Sequence, residues 1–271
     1  MIQSTGVYLR LSSEWQVKAV SANFGDLFPV TADQALGQPI GFLVGDNAIH
    51  DMRNRMALLR NADSVEHLLH VTLVDGGKPF DLSIFHDGDG FGIDIEPCDG
   101  HAFGDATGIV EGMLARVTAA GDVGSIACEA ARQLRALTGF DRALIYGDGA
   151  LLGHSARSDG LSREPSAVVH CGGDLAVADG SAEPVAILTS DDQPTHRSTL
   201  RMPTSDEAAI LAAAEARAAL IVPLIRDGRP WGHVACYHST PRHIGVERRG
   251  VVRLFAQIIA LRIEVAGLRR S

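Results

Sequence analysis

Cysteine is scarce in this chain and scattered along it. Cys98, Cys128, Cys171 and Cys236 form no C-x-x-C pair, so the spacing predicts neither a metal site nor a disulfide framework, and a reducing cytoplasm fits best. Positive charge is also short: 24 Lys and Arg stand against 33 Asp and Glu, a net charge of −9. A phosphate-tracking nucleic-acid surface needs clustered cations, so that class of partner is excluded. The basic residues near the end (Arg262, Arg269, Arg270) read as a solvated helix face. No apolar run is long enough to span a membrane, because Ala208 to Ile225 is broken by Glu215, Arg217 and Pro223. No basic segment followed by an apolar stretch opens the chain, so no secretion signal is expected. There is no G-x-S-x-G elbow, H-E-x-x-H helix or glycine-rich phosphate loop, and an enzyme is not expected.

What remains is an ordinary globular composition, 46% hydrophobic and 21% charged over 271 residues, with room for two modest cores. The first hundred residues alternate strand and helix patterns. Val7 to Leu11 and Val17 to Val20 read as strands, Met52, Met56 and Leu59 as one side of a helix, and Leu68–Val74, Phe80–His86 and Phe91–Glu96 as a meander with Asp-Gly turns. A glycine-rich stretch, residues 101–108, reads as a linker. Two helices follow, then a strand from Phe140 to Tyr146. Residues 147–194 read as long loops around two short strands, near Ala167–His170 and Val185–Leu188. An alanine-rich helix (Ser205–Ala218) precedes two apolar runs joined by Asp227-Gly228, a hairpin signal. A last helix, about Val246 to Leu268, carries Val251, Leu254, Phe255, Ile258, Leu261, Val265 and Leu268 at nearly a 3.5-residue spacing. That stripe fits either packing on its own sheet or a dimer contact.

Two local patterns suggest chemistry and fail on geometry. His86-Asp-Gly-Asp-Gly90 begins like a calcium loop, but Phe91 stands where a third oxygen is needed, so it reads as a tight turn. His170 and Cys171 are adjacent, and neighbours in a strand point to opposite faces, so they cannot act as a nucleophile pair.

The hairpin strand Asp227-Gly-Arg-Pro-Trp-Gly-His-Val-Ala-Cys-Tyr-His238 resembles the D-G-x-x-W-G-x-x-A-C-x-H hairpin that closes the GAF domain of bacterial phytochromes. Five more fragments resemble that family, in its order. They are Ile2-Gln3 to Leu11, Val20-Ser-Ala-Asn23, Leu36-Gly-Gln-Pro39, His86-Asp-Gly88 through Glu96-Pro97, and Leu137-Thr-Gly-Phe-Asp-Arg-Ala-Leu-Ile-Tyr146. The resemblance implies an α+β fold: a PAS domain at 1–100, a linker at 101–108, a GAF domain at 109–245, each around a central antiparallel sheet, and a C-terminal signalling helix at 246–271.

The resemblance also implies a bilin site. Arg201 matches an arginine that pairs with a bilin propionate, and Tyr146 a pocket tyrosine. A chromophore-touching histidine corresponds to Tyr237, pocket serines to Ala219 and Ile221, and a pocket histidine on the preceding helix to Glu207. The family's attachment cysteines have no counterpart before Cys98 or beside Glu207, and its P-A-S-D-I-P loop is missing. The expectation is therefore a sensory module of bacterial signal transduction with no cofactor, its bilin binding weakened or lost. The alternatives are a photoreceptor holding biliverdin non-covalently and a GAF pocket taking another small ligand. A homodimer through the last helix and a downstream signalling protein or kinase are the implied partners. The family threads its N-terminal segment through a loop of the second domain as a figure-of-eight knot, and both pieces are altered here.

Overall fold

In a computed structural model of the protein, residues 1–62, 64–74, 76–98, 104–157, 174–191 and 198–268 are described. The elements, in chain order, are β1 Val7–Leu11, β2 Val17–Ser21, α1 Ala32–Ala35, α2 Asp46–Met56, β3 Val65–Thr72, β4 Pro79–Asp87 and β5 Gly90–Pro97. They continue with α3 Ala106–Thr118, α4 Val123–Thr138, β6 Arg142–Gly147, β7 Ala150–Ala156, β8 Leu175–Val177 and β9 Ile187–Thr189. The chain ends with α5 Ser205–Ala213, β10 Ala218–Arg226, β11 Arg229–His238 and α6 Val246–Leu268. Local chemistry sets several boundaries. Thr31 and Gln34 close a capping box on α1, Asp122 accepts from the Ser125 N–H to start α4, and Gly139 in the left-handed region (φ 67°) stops it.

The chain divides into two α+β units, the order and class the resemblance implies. Unit 1 comprises Met1–Ala102 together with Ala182–Met202; unit 2 comprises Phe103–Ser181 with Pro203–Ser271. The expected short strand near Val185–Leu188 exists as β9, but it joins the sheet of unit 1, where it pairs antiparallel with β2. Residues 106–108, read as linker, are already helical. The strand expected at Ala167–His170, and the His170–Cys171 pair, lie outside the described residues.

Unit 1 is a six-stranded sheet in the order β3-β4-β5-β1-β2-β9. One face carries the core: Val7, Leu9, Val17, Leu82, Ile84, Ile93 and Ile95 pack on Phe24, Met52 and Met56. The other face is polar and equally dry. Tyr8 donates to Asp87, Arg10 pairs with Asp191, and Asp94 accepts from Ser198 Oγ (2.7 Å) and from the Thr199 N–H (2.6 Å) and Oγ1 (2.8 Å). Asp191, Ser198 and Thr199 supply partners on that face, and Val185, Ile187 and Leu200 pack against it. Val185 and Leu200 also flank the chain's first residues on two sides, with Ile2 and Val185 exchanging backbone hydrogen bonds and the Gln3 N–H donating to Leu200 O.

Unit 2 is a five-stranded antiparallel sheet in the order β7-β6-β11-β10-β8. The predicted hairpin is there, with Asp227 and Gly228 both at positive φ (51° and 74°), as a primed two-residue turn requires. One sheet face packs Leu220, Val222, Leu224, Val234 and Cys236 against α4 and α6 through Ile126, Leu134, Val252, Phe255 and Ile259.

Asp94 gives unit 1 a pH dependence. Complete burial, outweighing the Ser198 and Thr199 donors, pushes its carboxyl up to about 7. In the unfolded chain an Asp titrates near ~3.9, so the unfolded state loses its proton first. The stabilisation from this group is full below about pH 4 and is lost as pH rises toward about 7. Urea midpoints measured across that window should fall with pH in the parent, and the slope should flatten in Asp94→Asn.

Candidate functional site

The second face of the unit 2 sheet is where the predicted site residues meet. Alternation along each strand puts Leu144 and Tyr146 of β6, Ala235 and Tyr237 of β11, Ala219 and Ile221 of β10, and Leu175 and Val177 of β8 on this face. Leu211 and Ala214, at the end of α5, cover them. Tyr237 is only 1% exposed, and the Arg142 guanidinium lies 5.6 Å from its ring centroid. Arg142 donates to Ala214 O, which ties β6 to the C-terminal end of α5. Burial lowers the Arg142 pKa from its ordinary value, against the pull of the neighbouring Tyr237 and Asp141. The His233 ring stacks on Tyr146, with centroids 4.8 Å apart and planes 19° from parallel.

Four of the six expected residues, Tyr146, Ala219, Ile221 and Tyr237, therefore share one apolar cluster. Glu207 does something else. It is the third residue of α5 and closes a capping box, its carboxylate accepting from the Thr204 N–H (2.8 Å) while Thr204 accepts from the Glu207 N–H. Arg201 belongs to unit 1, where it bridges Ile2 and its guanidinium donates to Met202 O at 3.2 Å.

A register expectation is corrected as well. Strict alternation along β11 would put Trp231 on the face of His233, Ala235 and Tyr237. Gly232 pairs with Leu224 but Pro230 with Ile225, so Trp231 is the extra residue of a β-bulge. Its indole turns to the opposite face, packing on the cluster that holds Ile126 and Phe255, with Arg226 5.0 Å from the ring. Cys236 also points to that opposite core, where burial pushes its thiol up to about 12. A thiol so far from ionised is a poor nucleophile.

Sequence reasoning missed Arg142 as a member of this face, and it missed the stacking of His233 on Tyr146. The signal for Arg142 was present: it precedes Leu144 and Tyr146 by two and four residues, which in a strand means one face. The Tyr146–His233 stack follows from their being direct cross-strand partners, a register that no single strand reveals.

Comparison with known proteins agrees with this architecture. A family model described as "PAS fold" matches residues 1–98, and one described as "GAF domain" matches residues 122–263. The chromophore-binding domain of an unusual bacteriophytochrome from R. palustris is similar over 99% of this chain and 96% of its own, with TM-score 0.83 and 22% identity. The Stigmatella aurantiaca phytochrome photosensory core module matches 97% of this chain and 58% of its own, with TM-score 0.82 and 20% identity. At these identities the likeness is one of fold. Phytochrome E from Ipomoea nil is 24% identical over 168 residues, 53% of this chain but only 15% of that protein's length.

If Tyr237 fills a closed core, Tyr237→Ala should cost about 3–5 kcal/mol of unfolding free energy in urea titrations. Glu207→Gln keeps the cap's acceptor and should stay within about 0.5 kcal/mol of the parent. A nearly neutral Tyr237→Ala would mean that the face is open.

Proposed function

Since the chain belongs to the GAF domain family, behind a PAS fold and in the order of a phytochrome photosensory module, we propose that it is a sensory module whose bilin binding is weakened or lost. The observation that carries this reading is the closed packing around Tyr237. A tetrapyrrole would need the volume now taken by Tyr237, Ile221, Leu211 and the Tyr146–His233 stack. It would also need donors and cations for its nitrogens and propionates, since an unpaired polar group in a closed pocket costs about 1–3 kcal/mol. Ala219 and Ile221 offer none, the Glu207 carboxylate is engaged in its own helix cap, and the one thiol of this hairpin faces the other core. The donors this face does hold are Arg142, His233 and the hydroxyls of Tyr146 and Tyr237, and Arg142 is already engaged with Ala214 O and the Tyr237 ring, which supports the reading of a poor match to two propionates.

The deciding experiment adds biliverdin to the purified protein and follows absorbance. The proposal predicts no sharp red-shifted band and no change under red light. A narrow band that photoconverts would establish instead a photoreceptor holding biliverdin without a covalent bond.

The output route we assign to α6. Its buried side (Val251, Val252, Phe255, Ile259, Ile263) belongs to the core of unit 2, whereas Leu254, Leu261, Val265 and Leu268 are exposed, Leu261 by 61% and Leu268 by 70%. Those four follow one another at intervals of seven, four and three residues, a helix seam on the side away from the core. The seam supports a homodimer that passes its signal to a downstream protein. Leu261→Glu should weaken self-association at least tenfold in sedimentation or light-scattering titrations without lowering the thermal midpoint of the monomer. An unchanged assembly state would place the contact elsewhere.

A further inference from the structure

Three strands of unit 1 end beside one another and place three side chains around one point. β3 and β4 keep a regular register up to Leu68 and Leu82, and the pairing resumes at Val71 and Phe80. Two residues, Leu69 and His70, therefore stand opposite Asp81 alone. The bulge holds His70 in the left-handed region (φ 57°), rare for a residue with a side chain, and its N–H donates to Asp81 Oδ1 at 2.9 Å. On the other flank of β4, Phe80 pairs with Pro97 at the end of β5, and the next residue is Cys98. Its thiol donates to the same Asp81 oxygen at 3.2 Å. The imidazole, carboxylate and thiol ligand atoms all lie within 4.8 Å of one another.

We propose that His70, Asp81 and Cys98 form a binding site for one divalent transition-metal ion of the zinc class. Asp81 is 3% exposed, yet its contacts are a backbone N–H and a thiol, and among the described residues no Lys or Arg forms an ion pair with it. A buried carboxylate is costly without a compensating cation. Zinc bonds of about 2.3 Å to sulfur and about 2.0 Å to nitrogen or oxygen, in a tetrahedron, set ligand atoms roughly 3.3–3.6 Å apart. The present spread, up to 4.8 Å, has to close by side-chain rotation when the ion binds. One thiolate with one imidazole and one carboxylate is a borderline-soft donor set, which favours zinc over magnesium or calcium. On binding, Cys98 gives its proton to solvent, the neutral His70 ring offers a nitrogen lone pair, and thiolate plus carboxylate balance the two positive charges of the ion. His70 is exposed, which gives the ion a way in, and three protein ligands leave one position for water. The bound ion would clip β3, β4 and the end of β5 together. The site goes beyond the sensory reading and does not depend on it. Its ligands are 11 and 17 residues apart, so no short motif announces them.

The test uses the full chain, stripped with a chelator and titrated with cobalt(II) alone as a spectroscopic stand-in, then with zinc in competition. One equivalent should bind, with a thiolate-to-cobalt charge-transfer band that zinc abolishes. Cys98→Ser should remove the band. His70→Asn, which tolerates the left-handed backbone, should weaken binding at least tenfold with the metal-free thermal midpoint unchanged. If either variant folds poorly, the parent still decides: zinc should slow alkylation of Cys98, read by peptide mass, at least tenfold. The proposal is overturned if the parent binds no saturable equivalent, if the band survives Cys98→Ser, if His70→Asn leaves affinity unchanged, or if zinc leaves Cys98 alkylation unchanged.

Discussion

In the hairpin of β10 and β11, alternate side chains are sent to two faces, and both faces are dry. Leu220, Val222, Leu224 and Cys236 go to one side, to be covered by α4 and α6; Ala219, Ile221, Ala235 and Tyr237 go to the other, under α5 and Arg142. Side chains in a strand repeat every two residues, so a one-residue slip would exchange the two sets. The left-handed Asp227-Gly228 turn fixes the pairing at one end, and the bulge at Trp231 resets it three residues later. Much of unit 2 answers to that constraint: α5 stops where Ala214 can accept from Arg142, and α6 buries the stripe that meets β10.

Unit 1 solves the opposite problem. Its sheet has an apolar face over α2 and a face of Tyr8, Arg10, Asp87 and Asp94 that would be costly to bury unpaired. Residues remote in sequence supply partners to two of these side chains, Asp191 to Arg10 and Ser198 with Thr199 to Asp94, while Tyr8 is satisfied by Asp87. Polar pairing thus binds a remote piece of sequence into the first unit. The same strand system ends in the His70–Asp81–Cys98 cluster, where a carboxylate is buried beside a thiol and an imidazole.

Much of this was legible in the chain. The hairpin, the meander β3–β5 and the span of α6 follow from periodicity and turn chemistry, and the family fragments supplied the order of the units. The misses share a cause. β7 escaped because its alternation is diluted by Gly153 and small residues; a Cβ there would meet the backbone of Ala127 and Cys128 at 2.4 Å, so close helix packing demanded the glycine that hid the strand. β9 was expected as a strand, but its partner β2 lies about 170 residues away, and distance in sequence leaves no periodic trace of that pairing. The bulges at Trp231 and His70 shift which face a residue takes, and bulges are set by partner strands. Glu207 was placed by alignment at a pocket position, although Thr204 three residues before it is a capping-box signature visible in the sequence.

The central claim is that the sheet face bearing Tyr237 is a packed interior. Installing Ala219→Cys and following its alkylation by peptide mass in the native protein tests it most directly, with Cys236 on the opposite face as the buried reference. The account predicts labelling on the order of 100-fold slower than in denaturant, comparable with Cys236, because reagent would enter only through local opening. Labelling of Cys at 219 at the denatured rate, while Cys236 stays protected, would show an open cavity on that face and contradict it.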